Sequence, residues 1–315
     1  MSDENQKNPQ GWERDVLEKI ALAGLKEQRA RRRWGIFFKL LGFGYVGFML
    51  LAFFGSSSGD VVDGRHTALV QMNGVIEARG EADAGAIIGA LQNAFDDKNT
   101  AGVVLQINSP GGSPVQAGMI YDEIRRLRKL HPDVPLYAVV EDICASGSYY
   151  VAAAADAIYV DKASLVGSIG VLMDGFGFTD AMKKVGVERR LLTAGENKGF
   201  LDPFSPDNPK QTAYAQEMLH EIHVQFIDAV KQGRGKRLKE TPDMFSGLVW
   251  TGAKSVQLGL ADGFGTTDSV ARDVIKAENV HDYTVKQNFA ERIAKRFGAD
   301  MAQSAMNTLG RVSLR

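Results

Sequence analysis

The sequence predicts an α/β fold, in which helices are layered on a largely parallel sheet, preceded by one N-terminal transmembrane helix. Two observations carry the α/β prediction. Strand-like apolar runs alternate with helical runs between residues 68 and 160, an alternation typical of parallel sheets. Two corners rich in glycine and serine each follow a strand-like run and precede a helical run. A third observation, an apolar stretch near the N-terminus, predicts the membrane span.

The apolar stretch runs from Trp34 to Phe54 and carries one charge, Lys39, near its start. At about 1.5 Å per residue, a helix of this length approaches the hydrocarbon thickness of a bilayer. Basic residues precede the stretch and acidic residues predominate after it, so the positive-inside rule predicts cytoplasmic residues 1–33 and an extracytoplasmic remainder. No Ala-x-Ala-like cleavage site is evident, and we expect residues 34–54 to be an uncleaved anchor. A buried globular helix is the alternative.

The segments around the anchor and the main domain have more than one interpretation. Residues 1–33 contain apolar side chains at helical spacing, which fits a helix on the membrane surface or a weakly ordered tail. Residues 55–66 open with a Gly/Ser-rich sequence and are interpreted as a linker to the main domain, 67–285. The tail 286–315 has an apolar stripe that fits contact with a partner subunit, with the membrane or with its own domain. The stripe consists of Phe289, Ile293, Phe297 and Met301.

The composition and the motifs of the chain limit which partners and cofactors we expect it to bind. The chain has 315 residues, a formal net charge of −1 and one cysteine, Cys144. That charge gives no general attraction to nucleic acid, and a single cysteine rules out an internal disulfide. The sequence has no phosphate-binding loop, and the pair His220 and His223 lacks a third ligand at metal-like spacing. We therefore expect no nucleic acid partner, no metal and no other cofactor.

The first corner follows the apolar run 102–107 and includes two adjacent glycines, Gly111 and Gly112. A helical pattern begins after it, with Ser113 as the N-cap and Pro114 at the first helical position. Paired glycines allow backbone N–H groups to approach a ligand closely, as an oxyanion hole requires. An ordinary tight turn between strand and helix is the alternative.

The second corner, at Ser146 and Gly147, follows the strand-like run 135–140 and precedes an alanine-rich helical run. A hydroxyl at a helix start lies beside free N–H groups and a partial positive charge. Ser146 is therefore a candidate nucleophile, and the N–H of Gly147 is a candidate oxyanion donor. An ordinary N-cap serine is the alternative. The nearby Cys144 is interpreted as a small buried hydrophobe.

Four segments in this order resemble signal peptide peptidase A: Ser-Pro-Gly-Gly-Ser at 109–113, Ala-Ser-Gly-Ser-Tyr-Tyr at 145–150, Val-Gly-Ser-Ile-Gly-Val at 166–171 and Gly-Leu-Val-Trp-Thr-Gly at 247–252. This is a family of membrane-bound peptidases that use a serine and a lysine. The resemblance covers about residues 68–274 and implies a crotonase/Clp-protease-like fold in its short, single-repeat form.

The resemblance assigns roles to three side chains. The family's nucleophile corresponds to Ser146, its general base to Lys198 and its accessory hydroxyl to Ser168. An unperturbed lysine has a pKa near ~10.4, so a lysine base requires burial to lower its pKa and free a lone pair. A solvated loop lysine is the alternative for Lys198, and a Ser/His/Asp arrangement is a minor rival. The family often has glycine where this chain has Ser148, a rival hydroxyl expected to lie inside the helix, facing away from the corner.

By this resemblance we expect a membrane-anchored serine endopeptidase of the bacterial inner membrane, with its catalytic domain in the periplasm or outside the cell. Expected substrates are remnant signal peptides and other extended apolar peptides. Expected partners are the lipid bilayer and further copies of the chain in a homo-oligomeric ring. Two alternatives remain, a crotonase-type acyl-CoA enzyme and a catalytically silent membrane scaffold.

Overall fold

The computed structural model describes residues 9–55 and 64–285, which fall into two compact units. The first unit is Met1–Val61 and the second is Val62–Arg315. Most of the predicted linker and the apolar stripe of the C-terminal tail lie outside the described residues. The first strand of the second unit begins at His66, the last residue of the predicted linker.

The first unit is one helix, α1, which extends over Pro9–Gly55. It has no internal proline to interrupt its hydrogen bonds. Large apolar side chains between Trp34 and Met49 are exposed on it. None of the helices in the described part of the chain combines the length and the apolar character that crossing a bilayer requires. The predicted span at 34–54 therefore stays a prediction.

The second unit contains an eight-stranded sheet, and the predicted α/β fold is confirmed. All strand pairs are parallel except the antiparallel pair between β5 and β6. The main path has the order β6-β5-β3-β2-β1-β8, while β4 pairs with β3 and β7. The strands are β1 His66–Asn73, β2 Thr100–Ser109, β3 Leu136–Ala145, β4 Ala157–Val160, β5 Leu165–Gly167, β6 Val249–Thr251, β7 Gly263–Phe264 and β8 Val280–Asp282.

The helices follow the strands in the manner that the alternation predicts. Asp83 caps α2 and Ser113 caps α3, and each side chain accepts a hydrogen bond from a backbone N–H of the first turn. Apolar side chains of α2, α3 and α4 are buried with those of the sheet in the main core. The helices are α2 Ala84–Asp96, α3 Pro114–Leu130, α4 Gly147–Ala152, α5 Thr179–Lys184, α6 Pro209–Arg234, α7 Gly252–Leu258 and α8 Thr267–Ser269, followed by a π-helical turn, Val270–Ile275.

A buried ion pair fixes the end of α6 to the sheet. Arg234 is 1% exposed and donates to both carboxylate oxygens of Asp262, at 2.7 and 2.9 Å. Asp262 also accepts a hydrogen bond from the N–H of Ile158 in β4 at 2.7 Å. Burial raises the pKa of Asp262, but the hydrogen bond and charge of Arg234 outweigh it, so the pKa lies below its ordinary value. This anchor holds α6 beside the site described next.

Candidate active site

Ser146 lies in a strained corner between β3 and α4. Its φ of 56° and ψ of −127° place a residue other than glycine at positive φ, which costs about 1–3 kcal/mol. Its N–H donates to the Gly167 carbonyl at 2.8 Å and so holds the corner against β5. Ser146 occupies the N-cap position of α4, yet its side chain makes no capping hydrogen bond. The hydroxyl is therefore not used as the ordinary cap that was the alternative.

The strand before this corner is longer than the sequence predicts. The apolar run 135–140 indicated an end near Val140, but β3 continues to Ala145. The polar residues Glu141 and Asp142 hid this extension, because they are exposed on the strand rather than buried. The extension pairs Cys144 with Val166 and brings the corner level with the end of β5.

Gly111 lies directly against the corner. Its φ is 96°, and a Cβ added to it would be 2.8 Å from the Ser146 Cβ and 2.6 Å from the Ala145 carbonyl oxygen. Real Cβ atoms do not approach other atoms so closely, and only glycine fits this position. The tight packing brings the first corner and the second corner, predicted separately from the sequence, into one site.

Gly112 and Gly147 place backbone N–H groups near each other beside Ser146. A Cβ on Gly112 would collide with the Ile76 backbone, and a Cβ on Gly147 would lie 3.4 Å from the Gly112 nitrogen. The Gly147 N–H belongs to the first turn of α4, where helix N–H groups have no acceptor within the helix. The loop is held by hydrogen bonds from Ile76 N–H to the Gly111 carbonyl at 2.9 Å and from Ser113 N–H to the Ile76 carbonyl at 2.8 Å. This arrangement is suited to hold an oxyanion.

Ser148, the rival hydroxyl, is fully buried beneath the corner. Its Oγ lies 2.7 Å from the Ser109 carbonyl oxygen and 2.8 Å from the Ala145 carbonyl oxygen, and its single hydrogen is shared between these two acceptors. Ser109 in turn accepts the N–H of Gly111 at 3.2 Å. Ser148 thus links the two corners from below. The sequence predicts a hydroxyl inside the helix that faces away from the corner; the hydroxyl is buried, but it bonds the Ala145 carbonyl of that corner.

Ser168 follows β5 and lines the same cleft as Ser146. Its φ is 50°, and its N–H donates to the Leu248 carbonyl at 2.8 Å. One residue further on, the Ile169 carbonyl oxygen lies 3.1 Å from Nε2 of His223 on α6. The turn that carries Ser168 is therefore held from two sides, and Ser146 and Ser168 share one site.

The cleft has a volume of about 1070 Å³ and extends between α3 and α6. Its lining is mostly small or apolar, and glycine, proline, alanine and valine occur near the corners. Tyr150 and Phe226 form an aromatic wall, with ring centroids 5.2 Å apart. None of the described residues that line it is a histidine, which gives no support to the Ser/His/Asp alternative. An extended, apolar chain suits this lining.

Lys198 is placed differently from the other predicted site residues. It lies between α5 and α6, its N–H donates to the Gly195 carbonyl at 3.1 Å, and its side chain is exposed. It is not among the residues that line the cleft. The same segment exposes large apolar side chains, including Val187 at 54% and Leu192 at 96%. The general-base role of Lys198 stays a prediction.

Cys144 is buried, as the sequence predicts. Burial raises the pKa of its thiol to about 12, although a hydrogen bond with Ser148 lowers it in part. The thiol is therefore neutral near pH 7 and is not a nucleophile. Within the described ranges 9–55 and 64–285, no cluster of histidine, cysteine, aspartate and glutamate is suited to hold a metal ion.

Comparisons with known proteins agree with the site. The model of peptidase family S49 matches residues 128–281, a range that includes Ser146, Ser168 and Lys198. The chain is 30% identical over 230 residues to Protease 4 of Haemophilus influenzae, which covers 71% of this chain and 36% of that protein. It is 27% identical over 180 residues to the chloroplastic serine protease SPPA of Arabidopsis thaliana, with 57% and 26% covered.

A match of higher sequence identity is to a protein that is named as a transporter rather than as a protease. The chain is 45% identical over 201 residues to the Na⁺/H⁺ antiporter NhaA of Brucella abortus (strain 2308), which covers 64% of this chain and 27% of that protein. Across eight curated relatives, the chain spans between 26% and 69% of their length.

The fold and the cleft define an α/β protein with a serine at the strand-to-helix corner of a peptide-sized site. Residues 128–281 match peptidase family S49, and this match together with the relatives named for signal peptide peptidase and SohB supports the signal peptide peptidase A family. The loop at Gly111 and Gly112 lies outside the matched range. Its place beside Ser146 is instead a finding of the structure.

Sequence reasoning missed the wall that α6 contributes to the site. Phe226 and Gln225 line the cleft although they follow Ser146 by about eighty residues in the chain. Asp122 on α3 was also missed. The amphipathic pattern of each helix was a usable signal for burial, but it does not say which helices face each other.

Proposed function

We propose that this protein is a membrane-anchored serine endopeptidase that cleaves remnant signal peptides and other extended apolar peptides. One observation carries the proposal. The Ser146 corner opens on an apolar cleft and lies beside the N–H groups of Gly112 and Gly147. That arrangement supplies a nucleophile, an oxyanion site and space for an extended chain at one place.

In the proposed mechanism, Oγ of Ser146 attacks the carbonyl carbon of the scissile peptide bond. The N–H groups of Gly112 and Gly147 hold the negative charge that develops on the carbonyl oxygen. The neutral amine of Lys198 takes the serine proton and returns it to the leaving amine. Water, activated by the same amine, then hydrolyses the acyl-enzyme. The hydroxyl of Ser168 positions the amine.

The lysine requires a second proposal, because Lys198 is exposed and does not line the cleft of its own chain. We propose that the chain assembles into a ring and that a neighbouring subunit supplies Lys198 to each cleft. The exposed apolar side chains in the same segment as Lys198, such as Val187 and Leu192, support a protein contact there. Burial in that contact removes water from the amine and favours its neutral form.

The membrane anchor is proposed from the exposed apolar side chains of α1, which include Phe43 at 78% and Phe48 at 70%. Water is a poor solvent for such a surface, whereas bilayer hydrocarbon is a good one. An anchor holds the cleft near the membrane, where remnant signal peptides remain. The name of the Brucella antiporters gives no second candidate, because the chain covers only 27% of them.

Hydrolysis of an apolar reporter peptide tests the proposed function. The wild-type protein should cleave the peptide, and Ser146→Ala and Lys198→Ala should each abolish cleavage with an unchanged fold. A mixture of the two inactive variants should regain activity if subunits share their residues. Recovery would support the neighbouring lysine. No recovery, with subunit exchange shown independently, would contradict it. Hydrolysis of acyl-CoA without labelling of Ser146 would favour the crotonase alternative.

A further inference from the structure

Asp122 is the only charged side chain among the described residues that line the cleft. It is exposed and lies on α3, beyond the small and apolar positions nearest Ser146. A single carboxylate in an otherwise uncharged site is a strong determinant of which ligands bind there.

The position of Asp122 along the cleft follows from helix geometry. Pro114, Gly118 and Asp122 are four residues apart, lie on one face of α3 and all line the cleft. Eight residues of α-helix span about 12 Å. Pro114 is two residues after Gly112, at the oxyanion end of the cleft. Because an extended peptide rises about 3.3 Å per residue, 12 Å corresponds to three or four peptide residues.

The carboxylate is available to a ligand. None of the ion pairs between described residues includes Asp122, whereas Arg126 on the same helix pairs with Glu123 at 2.6 Å. The charge of Asp122 also reaches the cleft wall. Burial and the neighbouring Tyr121 raise the pKa of the Tyr150 phenol, and the negative charge of Asp122 raises it further.

We infer that Asp122 is a specificity-determining residue that selects peptides with a lysine or arginine three or four residues from the cleaved bond, within an otherwise apolar sequence. This inference rests on the proposed endopeptidase function and narrows its substrate class. Signal peptides have a basic region joined to an apolar one. A carboxylate some 12 Å along an apolar cleft matches the chemistry of that junction.

A position scan tests the inference. In a series of apolar peptides with one cleavage site, a single lysine is moved through five positions on each side of the bond, and each peptide has a glutamine counterpart. We expect kcat/KM to favour lysine by about two- to fivefold at the third or fourth position on one side, the range for an exposed ion pair. Asp122→Asn should remove the preference, and Asp122→Lys should reverse it. Asp133→Asn, which removes an exposed carboxylate outside the cleft, should retain it.

The readouts separate this inference from the proposed function. Covalent labelling of wild-type Ser146 by a serine-directed probe reports on the proposed function alone, because the probe carries no cation. If the wild type is not labelled and cleaves no peptide, the proposed function fails. If it is labelled and cleaves peptides but shows no lysine preference, or Asp122→Asn retains the preference, only the role of Asp122 is refuted. The preference should also weaken in high salt.

Discussion

The Ser148 hydroxyl donates to the Ser109 carbonyl at 2.7 Å and so joins the loop that carries the oxyanion glycines to the helix that begins at Ser146. The residues are 39 positions apart in the chain. Because the bond is fully buried, it is shielded from competing water. The relative position of the proposed nucleophile, Ser146, and the proposed oxyanion site depends on this contact.

Ser148→Ala should therefore reduce kcat by about tenfold with little change in KM. Loss of a complete oxyanion donor lowers kcat by about 10²–10³-fold, and the effect should be smaller here because Ser148 only positions the donors. The unfolding free energy should fall by about 1–2 kcal/mol, because two buried carbonyls lose a donor. Ser255→Ala is the matched control. Ser255 is also fully buried and donates to a carbonyl, that of Gly252 at 2.8 Å, but it lies in α7. An equal loss of kcat in both variants would show that Ser148 acts through stability alone.

Ser168→Ala should slow peptide hydrolysis without abolishing it and should move the pH–rate profile to more alkaline pH. The reason is that, in the proposed mechanism, the Ser168 hydroxyl positions the lysine amine but neither attacks the substrate nor carries the proton. Steady-state rates between pH 6 and pH 10 measure both effects. Ser246→Ala, another serine that lines the cleft, serves as the control. An unchanged rate and profile in Ser168→Ala would remove Ser168 from the site.

Asp262→Asn should destabilise the protein at neutral pH, by about 3–5 kcal/mol, because it leaves Arg234 charged and buried without its partner. The folded-state pKa of Asp262 is lowered, so its contribution is present above the unfolded pKa of about 3.9. It is lost as pH falls through the folded pKa. The difference between wild type and variant, measured by urea unfolding, should therefore shrink in acid below about pH 4.

The control for this prediction is Asp273→Asn. Asp273 pairs with Arg272 at 2.8 Å, but both side chains are more than half exposed. The loss of this exposed pair should lower the unfolding free energy far less than the loss of the buried pair does. An Asp262→Asn variant as stable as the control at neutral pH would show that the buried pair does not hold α6 to the sheet.

The proposed membrane anchor predicts a defined topology. A reporter fused after Gly59 should be active outside the cytoplasm, and one fused before Lys26 should be active inside. Changing Arg29, Arg31, Arg32 and Arg33 together to glutamine should produce mixed orientation, because this cluster supplies most of the charge bias. Cytoplasmic activity of the reporter after Gly59 would overturn the proposed location of the cleft.

Much of the fold was predictable because its signals are local. The caps at Asp83 and Ser113 and the apolar runs of β1 and β2 can be interpreted within a few residues of sequence. The end of β3 was missed, because exposed Glu141 and Asp142 interrupt the apolar pattern although the backbone remains in the sheet. Polar residues at the exposed end of a strand resemble a turn in sequence.

The parts of the site that lie at turns between a strand and a helix were predictable from sequence. The parts that depend on packing between distant helices were not. Ser146 and Gly112 each lie at a recognisable turn, and their common cleft follows from adjacent parallel strands. Phe226 and Asp122 enter the cleft because α6 and α3 lie on either side of it, which no local pattern encodes. In our proposal, Lys198 reaches Ser146 only from a neighbouring subunit. The sequence of one chain contains no local signal for such a contact between subunits.

The most direct test is the rate at which a serine-directed fluorophosphonate labels the assembled, full-length protein, with the modified residue identified by mass spectrometry. We predict one labelled residue, Ser146, no labelling in Ser146→Ala, and labelling at least about 10²-fold slower in both Lys198→Ala and Lys198→Arg. A general base accelerates a reaction by about 10²–10⁴-fold. The guanidinium of an arginine does not deprotonate near neutral pH and so cannot replace a lysine base. Labelling at another serine, or an unchanged rate in Lys198→Ala, would contradict a Ser146 nucleophile activated by Lys198.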